Sequence, residues 1–312
     1  MKSSGWKKLT EKINYFKYRL KWNYGKYLPL KKPVCIDLEL ASICNLKCDF
    51  CYHSSKTKFK KDIMSIDIAL EAIQQAAENN IPSIKFNYRG ESTLNDKIPI
   101  ILNYAEWFSH VYKCFIDRII NTNLNIKHKD RLKSLLLCNT IKVSIDSLDK
   151  KVYEKIRPGG NHDLLINNIT FLHDNLEDQR LILQFVRCGL NNNEDFLLAQ
   201  QKWPKAEIVI KDVVGGRNEK TTCPIGDRIP CLQAFTRLMI LYNGDMQICC
   251  PDINHNIHLG NIKETSIIKA FNSKKAKKVR EGLKDGTSFS LMPCKGCSSF
   301  ESYKGYKGNW NS

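Results

Sequence analysis

The 312-residue chain is 42% hydrophobic, 26% charged and 10% aromatic, a composition that excludes a disordered, collagen-like or coiled-coil protein. A chain of this length buries roughly 75% of its unfolded surface and needs no disulfide staples. Its formal charge of +17 is concentrated at two places, ten Lys and Arg against Glu11 in residues 1–34 and eight against Glu264 and Glu281 in residues 263–284, so the body is nearly neutral.

No stretch approaches the roughly 18–20 apolar residues of a membrane-crossing helix. Met1–Thr10 has no apolar signal core, and a cytoplasmic protein is expected. Thirteen cysteines, an odd number in a reducing compartment, point to metal or catalysis rather than to a disulfide framework.

In chain order, Trp6–Tyr27 interleaves Lys and Arg with Tyr15, Phe16, Tyr18 and Trp22. It reads as a basic aromatic helix, either a brace with a solvated face or a surface for an acidic partner. From Pro33 a strand–helix rhythm begins. Strand-like runs fall at Val34–Leu40, Ser83–Tyr88, Phe115–Asn121, Thr140–Asp146, Arg180–Val186 and Glu207–Lys211. Helical patterns lie between them, the clearest being Ile66, Ala69, Leu70, Ile73 and Ala77 behind Ser65, an apolar stripe of helical period with a capping residue. The others are Asp96–Ser109, Lys127–Leu137, Leu164–Asn175 and Glu194–Lys202. Such alternation predicts a parallel α/β structure, an open partial barrel or a doubly wound sheet, with too few units for an eight-stranded barrel. The rhythm stops at Val214-Gly215-Gly216. Beyond it, Asn243-Gly244 between Thr236–Tyr242 and Asp245–Cys250 predicts a β-hairpin, and Glu264–Leu283 a charged helix. The expected segments are therefore 1–32, 33–215 and 216–312.

Cys44, Cys48 and Cys51 form C-x3-C-x2-C directly after the first strand. Structural zinc wants four protein ligands, and the loop offers three thiolates with His53 as the sole candidate for a fourth. An iron–sulfur cubane is normally held by four Cys thiolates. Three leave one iron open to a ligand.

This loop, with Phe50 just before its last cysteine, resembles the radical S-adenosylmethionine (SAM) superfamily, and later segments agree in order. Tyr88-Arg89-Gly90-Glu91 is similar to the family's Gly-Gly-Glu element, with Arg89 in place of the first Gly. Asn121-Thr122-Asn123 is similar to Thr-Asn-Gly, with Leu124 in place of the Gly. Val143–Asp146 and Gln184-Phe185-Val186 match the ends of the fourth and fifth strands. The resemblance spans about residues 33–212 and implies an α/β fold with a partial (β/α)6 TIM-type barrel. It implies a [4Fe-4S] cluster on Cys44, Cys48 and Cys51 with an open iron site that binds SAM, and SAM contacts from Phe50, Gly90, Glu91, Asn123, Ser144 and Gln184. It also implies an electron donor such as a flavodoxin or ferredoxin. Independently of the family, these residues fall at C-terminal ends of parallel strands, where barrels collect their chemistry. Glu91 suits a cationic ammonium, and Gly90 permits close backbone approach.

Cys231, Gly244 and Cys249 follow a C-x12-G-x4-C spacing, and Cys294-x2-Cys297 comes later. This order resembles the SPASM/Twitch extension of radical SAM enzymes. It implies a small hairpin-plus-helix domain holding one auxiliary [4Fe-4S] cluster on Cys231, Cys249, Cys294 and Cys297, although four thiolates also suit zinc. Cys223 and Cys250 remain as packing residues, substitute ligands or hydrogen-atom donors. Cys35, Cys114, Cys138 and Cys188 read as core.

The expected activity is reductive cleavage of SAM and abstraction of a hydrogen atom, ending in dehydrogenation or epimerisation of a small polar sugar-like, aminocyclitol-like or nucleotide-linked compound. Relatives that modify peptides often carry an N-terminal peptide-binding domain, for which about 33 residues are too few, so peptide modification is the second choice. A nucleic-acid partner through Lys274–Lys278 is a weaker alternative, because such runs are usually solvated helix faces.

Overall fold

Alternation of β-branched and polar residues becomes a single sheet in the computed structural model, which describes residues 5–54, 59–187, 190–191, 194–212, 231–250, 252, 255–287 and 294. All six expected strands form: β1 (Cys35–Leu38), β2 (Ser83–Lys85), β3 (Asp117–Thr122), β4 (Thr140–Ser144), β5 (Arg180–Arg187) and β6 (Glu207–Asp212). Each pairs in parallel with the next. The hairpin also forms, as β7 (Arg237–Ile240) and β8 (Asp245–Gln247). Gly244 supplies its turn with φ +89, a backbone region that side chains disfavour.

Two features depart from the expected pattern. Strand β7 adds to the open side of β1 in parallel, with Cys35 opposite Arg237 and Leu38 opposite Ile240. A further strand, β9 (His258–Asn261), follows β8 antiparallel. The sheet order is β6-β5-β4-β3-β2-β1-β7-β8-β9, so the C-terminal segment continues the barrel wall. One apolar core accordingly runs from Ile36 and Ile84 through Leu183 to Leu238, Met246 and Ile267.

The helices are α1 (Gly5–Tyr24), α2 (Ile66–Glu78), α3 (Ile98–Val111), α4 (Lys129–Ser134), α5 (Lys150–Ile156), α6 (His162–Asp174), α7 (Glu194–Lys202), α8 (Leu232–Thr236), α9 (Ile267–Phe271) and α10 (Lys274–Asp285). Helix α2 buries Ile68, Ala69, Ala72, Ile73, Ala76 and Ala77, the stripe its sequence period requires. The charged stretch at 264–283 divides in two. Ser273 accepts from the Ala276 amide and caps a new helix, while Asn272 donates to the Lys31 carbonyl at 2.6 Å. A serine hydroxyl competes well for backbone amides at a helix start.

Helix α1 closes the floor of the barrel. Tyr18 and Trp22 are buried against Val34 and Cys35. The Tyr15 hydroxyl meets Arg180 at 3.1 Å, and Arg237 lies over the Trp22 ring at 5.4 Å. Cys35, Arg180 and Arg237 open their strands, so the aromatic face of α1 covers the N-terminal strand ends. Its basic residues flank a brace. No helix among the described residues is long and apolar enough to cross a membrane.

Side chains alternate across a strand. Ile36, Leu38, Ile84, Ile120, Ile141, Val143, Leu181, Leu183 and Phe185 join the core on the helix side. Asp37, Lys85, Asn121, Lys142, Ser144, Gln184 and Lys211 therefore line the lumen.

Candidate active site

The cysteine loop follows β1 and is tied down on several sides. The Ser42 amide donates to the Asp62 carbonyl at 2.9 Å, and Ala41 bridges to Ile63. His53 Nε2 donates to the Ser42 carbonyl at 3.0 Å, so that nitrogen anchors the loop. Beneath it, Gly90 allows a very close approach: a Cβ there would stand 2.2 Å from the Ile43 carbonyl oxygen and 2.5 Å from that of Ala41. The Glu91 amide then donates to Ile43 at 2.8 Å. The glycine of this element is a steric requirement of the loop.

Donors surround the sulfurs. The Leu46 amide lies 3.4 Å from Cys44 Sγ, Asn123 Nδ2 3.9 Å from Cys44 Sγ and Arg157 Nη1 3.6 Å from Cys48 Sγ. Burial pushes the Cys44 thiol up to about 11, and the neighbouring Cys48 and Cys51 add to the rise. Burial raises Cys48 as well, against the pull of Arg157. Metal binding supplies what holds such thiols as thiolates. Three thiols in one loop, two of them with N–H partners, fit an iron–sulfur cubane.

The segment 153–160 braces this loop, a role that sequence reading left undefined. Arg157 pairs with buried Asp146 at 2.7 Å, lies over the Phe50 ring at 5.4 Å and reaches Cys48. The Pro158 carbonyl accepts from the Lys47 amide at 2.9 Å. Gly159, at φ +90, comes 3.0 Å from the Asn45 carbonyl oxygen, measured from where its Cβ would be. Asp146 itself adopts φ +59 and accepts from the Val186 amide at 2.8 Å, which links the brace to β5.

Glu91 is buried and accepts four hydrogen bonds, from the Thr93 amide, Thr93 Oγ1, Thr122 Oγ1 and the Asn123 amide, at 2.7–3.2 Å. Its carboxylate thus ties the end of β2 to the end of β3. Asn123 Nδ2 donates to Asn45 Oδ1 at 2.8 Å, so Asn123 is part of the cysteine-loop scaffold. Ser144 and Gln184 stand side by side across β4 and β5, on the lumen face. Arg89, the departure from Gly-Gly-Glu, forms a fully buried two-point ion pair with Glu39 at 2.6 and 2.7 Å. It also meets His255 Nε2 at 3.0 Å, which joins β2 to the C-terminal segment.

In that segment Cys231 and Cys249 are half-buried, Cys294 is buried, and all three belong to one apolar cluster. Cys250 lies within electrostatic range of Lys85 and Arg237, and its carbonyl accepts from the Tyr88 hydroxyl at 2.7 Å. This puts Cys250 at the lumen wall between β2 and β7. Cys223, Cys297 and Cys188 lie outside the described residues.

Comparison with known proteins agrees with this geometry. The radical SAM superfamily model matches residues 38–197, and a model described as an iron–sulfur cluster-binding domain, SPASM, matches residues 231–298. The chain belongs to the radical SAM superfamily and carries a SPASM domain. It is a radical SAM enzyme whose cofactors are a [4Fe-4S] cluster, SAM and an auxiliary iron–sulfur cluster. A probable GTP 3′,8-cyclase of Methanococcus maripaludis is 30% identical over 126 residues, 40% of this chain and 40% of that protein. An S-adenosylmethionine-dependent nucleotide dehydratase, RSAD2, of Oncorhynchus mykiss is 22% identical over 46% of this chain and 40% of that one. The matched region thus spans about 40% of these curated relatives. Among solved structures, BtrN in complex with AdoMet and 2-DOIA superposes with a TM-score of 0.58 at 20% identity, over 85% of this chain and 92% of BtrN. Streptococcus suis SuiB bound to its precursor peptide SuiA gives 0.64 at 16% identity, over 97% and 76%. These likenesses show the shared fold.

Proposed function

We propose that the protein abstracts a hydrogen atom from a small polar compound, sugar-like, aminocyclitol-like or nucleotide-linked, and completes a dehydrogenation or an epimerisation. The observation that carries this reading is the polar lumen face below the cysteine loop, with Asn121, Lys142, Ser144 and Gln184 on adjoining strands. The Asn121 Oδ1 atom is buried without a hydrogen-bond partner, an acceptor suited to a hydroxyl or amino group. Two relatives are named for nucleotide substrates, which supports the nucleotide-linked member of the class.

When bound, the cluster and SAM supply reductive cleavage of the sulfonium C–S bond and hydrogen-atom abstraction. The chain's own residues do the positioning. Cys44, Cys48 and Cys51 hold the cluster, with Arg157 and Asn123 donating toward the sulfurs. Glu91 fixes the strand ends around the SAM site. Ser144 and Gln184 face the SAM ribose or carboxylate, and Cys231, Cys249, Cys294 and Cys297 hold the auxiliary cluster. Cys250, at the lumen wall, bears on the outcome: a hydrogen atom transferred from its thiol to the substrate radical would complete an epimerisation and leave a thiyl that the external electron donor must reduce, whereas loss of a proton and an electron from that radical, the electron going to the auxiliary cluster when bound, would complete a dehydrogenation.

Turnover in deuterated water, with mass spectrometry of product and of 5′-deoxyadenosine, tests the proposal. One solvent deuterium per product, abolished by Cys250→Ala, identifies an epimerase. A product two hydrogens lighter without solvent label identifies a dehydrogenase. Turnover of a peptide, with polar small molecules left unchanged, would overturn the reading.

A further inference from the structure

Three lysines occupy positions where their strands otherwise bury apolar residues: Ile84-Lys85-Phe86, Ile141-Lys142-Val143 and Lys211 after Ile208 and Ile210. Their neighbours face the helices, so Lys85, Lys142 and Lys211 face the lumen. They sit on β2, β4 and β6. Lysines are long, and side chains from alternate strands of a barrel reach into one shared interior. Each lies within electrostatic range of the others.

Two of the surrounding acids are already paired. Asp37 pairs with Arg237, and Glu207 pairs with Arg180 at 2.8 Å through both carboxylate oxygens. Asp117 lies at the floor beside Tyr18, within electrostatic range of Lys142. Among the described residues neither Lys142 nor Lys211 makes an ion pair, and both are only half-buried. A group of cations that outnumbers the acids near it in a polar lumen is costly unless a ligand supplies further negative charge. We propose that Lys85, Lys142 and Lys211 form a phosphoryl-binding site in the barrel lumen, which takes the phosphate or diphosphate end of the substrate.

The placement has chemical sense. Lys142 lies two residues before Ser144 on β4, about 7 Å deeper along the strand. A substrate whose phosphate rests on the lysines extends its other end upward to Ser144, Gln184 and the cysteine loop. Three ammonium groups match a multiply charged phosphoryl group better than a single carboxylate. Burial and the like charges of Lys211, Lys85, Arg180 and Arg19 lower the Lys142 ammonium to about 7. Among the described residues, Asp37 on β1, Asp117 on β3, Glu207 on β6 and Arg237 on β7 also face the lumen. A bound anion favours the protonated lysine, so affinity rises as pH falls from about 9 to about 6.

This inference rests on the radical-enzyme reading only for the substrate's orientation, and its test is a binding measurement. Inorganic pyrophosphate is titrated calorimetrically into the reconstituted, SAM-loaded full chain, with malonate as a carboxylate control. The wild type binds pyrophosphate more tightly than malonate. Lys142→Gln and Lys211→Gln each weaken it by on the order of 10- to 100-fold, while Lys277→Gln on the exposed face of α10 changes nothing. Both lumen variants melt no lower than wild type in anion-free buffer, since each removes a repelling charge. Equal loss in Lys277→Gln, equal affinity for malonate, or no effect in either lumen variant overturns the site. Wild type that forms 5′-deoxyadenosine but binds no pyrophosphate refutes the site alone. Pyrophosphate binding that depends on both lysines without 5′-deoxyadenosine formation refutes the radical reading alone.

Discussion

Gly90 and Arg157 carry the sharpest residue-level consequences. An alanine at 90 drives its Cβ into the Ile43 carbonyl, and relief requires the cysteine loop to move. Gly90→Ala therefore costs ~1–3 kcal/mol, as overpacking does, and lowers the iron retained after reconstitution, measured by iron assay against wild type. Arg157→Met removes one member of a buried pair and leaves Asp146 as an unpartnered charge, at a cost of ~3–5 kcal/mol in urea unfolding. Adding Asp146→Asn recovers part of that loss. Leu124 shows how a departure from the family pattern is absorbed. It adopts φ +54 where relatives resembling this chain carry Gly, yet its side chain is fully buried. The packing it gains outweighs a backbone strain of roughly 1–2 kcal/mol.

At the level of elements, α1 and the strand ends it covers act together. Trp22→Ala removes a buried indole from the floor and lowers stability by ~3–5 kcal/mol. Asp117, at the start of β3 beside Tyr18, is raised to about 6 by burial, against the pull of Arg180, Arg118, Arg19 and Lys142. An acid raised on folding holds its proton longer in the native state, so stability falls as pH climbs from about 4 to about 6 and is level above. Asp117→Asn removes that loss. The variant is indistinguishable from wild type at pH 4 and more stable by up to about 3 kcal/mol at pH 7, measured by denaturant unfolding at both values. If the difference is the same at both pH values, the floor carboxylate is not the cause.

At the scale of the whole molecule, period and spacing revealed most of what matters. The six parallel strands, the Asn-Gly hairpin and the cysteine loop follow from alternation, turn chemistry and C-x3-C-x2-C. Other features depend on pairings between distant residues, which local pattern does not encode. Strand β7 looked like half of a separate hairpin because its partner β1 lies some two hundred positions earlier. The Asp146–Arg157–Cys48 brace was hidden because charge and thiol meet only in three dimensions. Lys85, Lys142 and Lys211 did leave a trace, a lysine beside core residues on a strand, but its meaning depends on which face the barrel encloses. If the C-terminal cysteines hold one cubane, the reconstituted chain contains about eight irons, two four-iron clusters. About four would leave the SPASM segment without its cluster.

SAM cleavage depends first on the loop of Cys44, Cys48 and Cys51. Low-temperature EPR of the reduced, oxygen-free protein, recorded before and after addition of SAM, tests it most directly. A cluster signal that shifts when SAM is added, with the SAM response absent in the protein carrying Cys44→Ala, Cys48→Ala and Cys51→Ala together, is the predicted result. A spectrum indifferent to SAM, or a SAM response that survives the triple substitution, would contradict it.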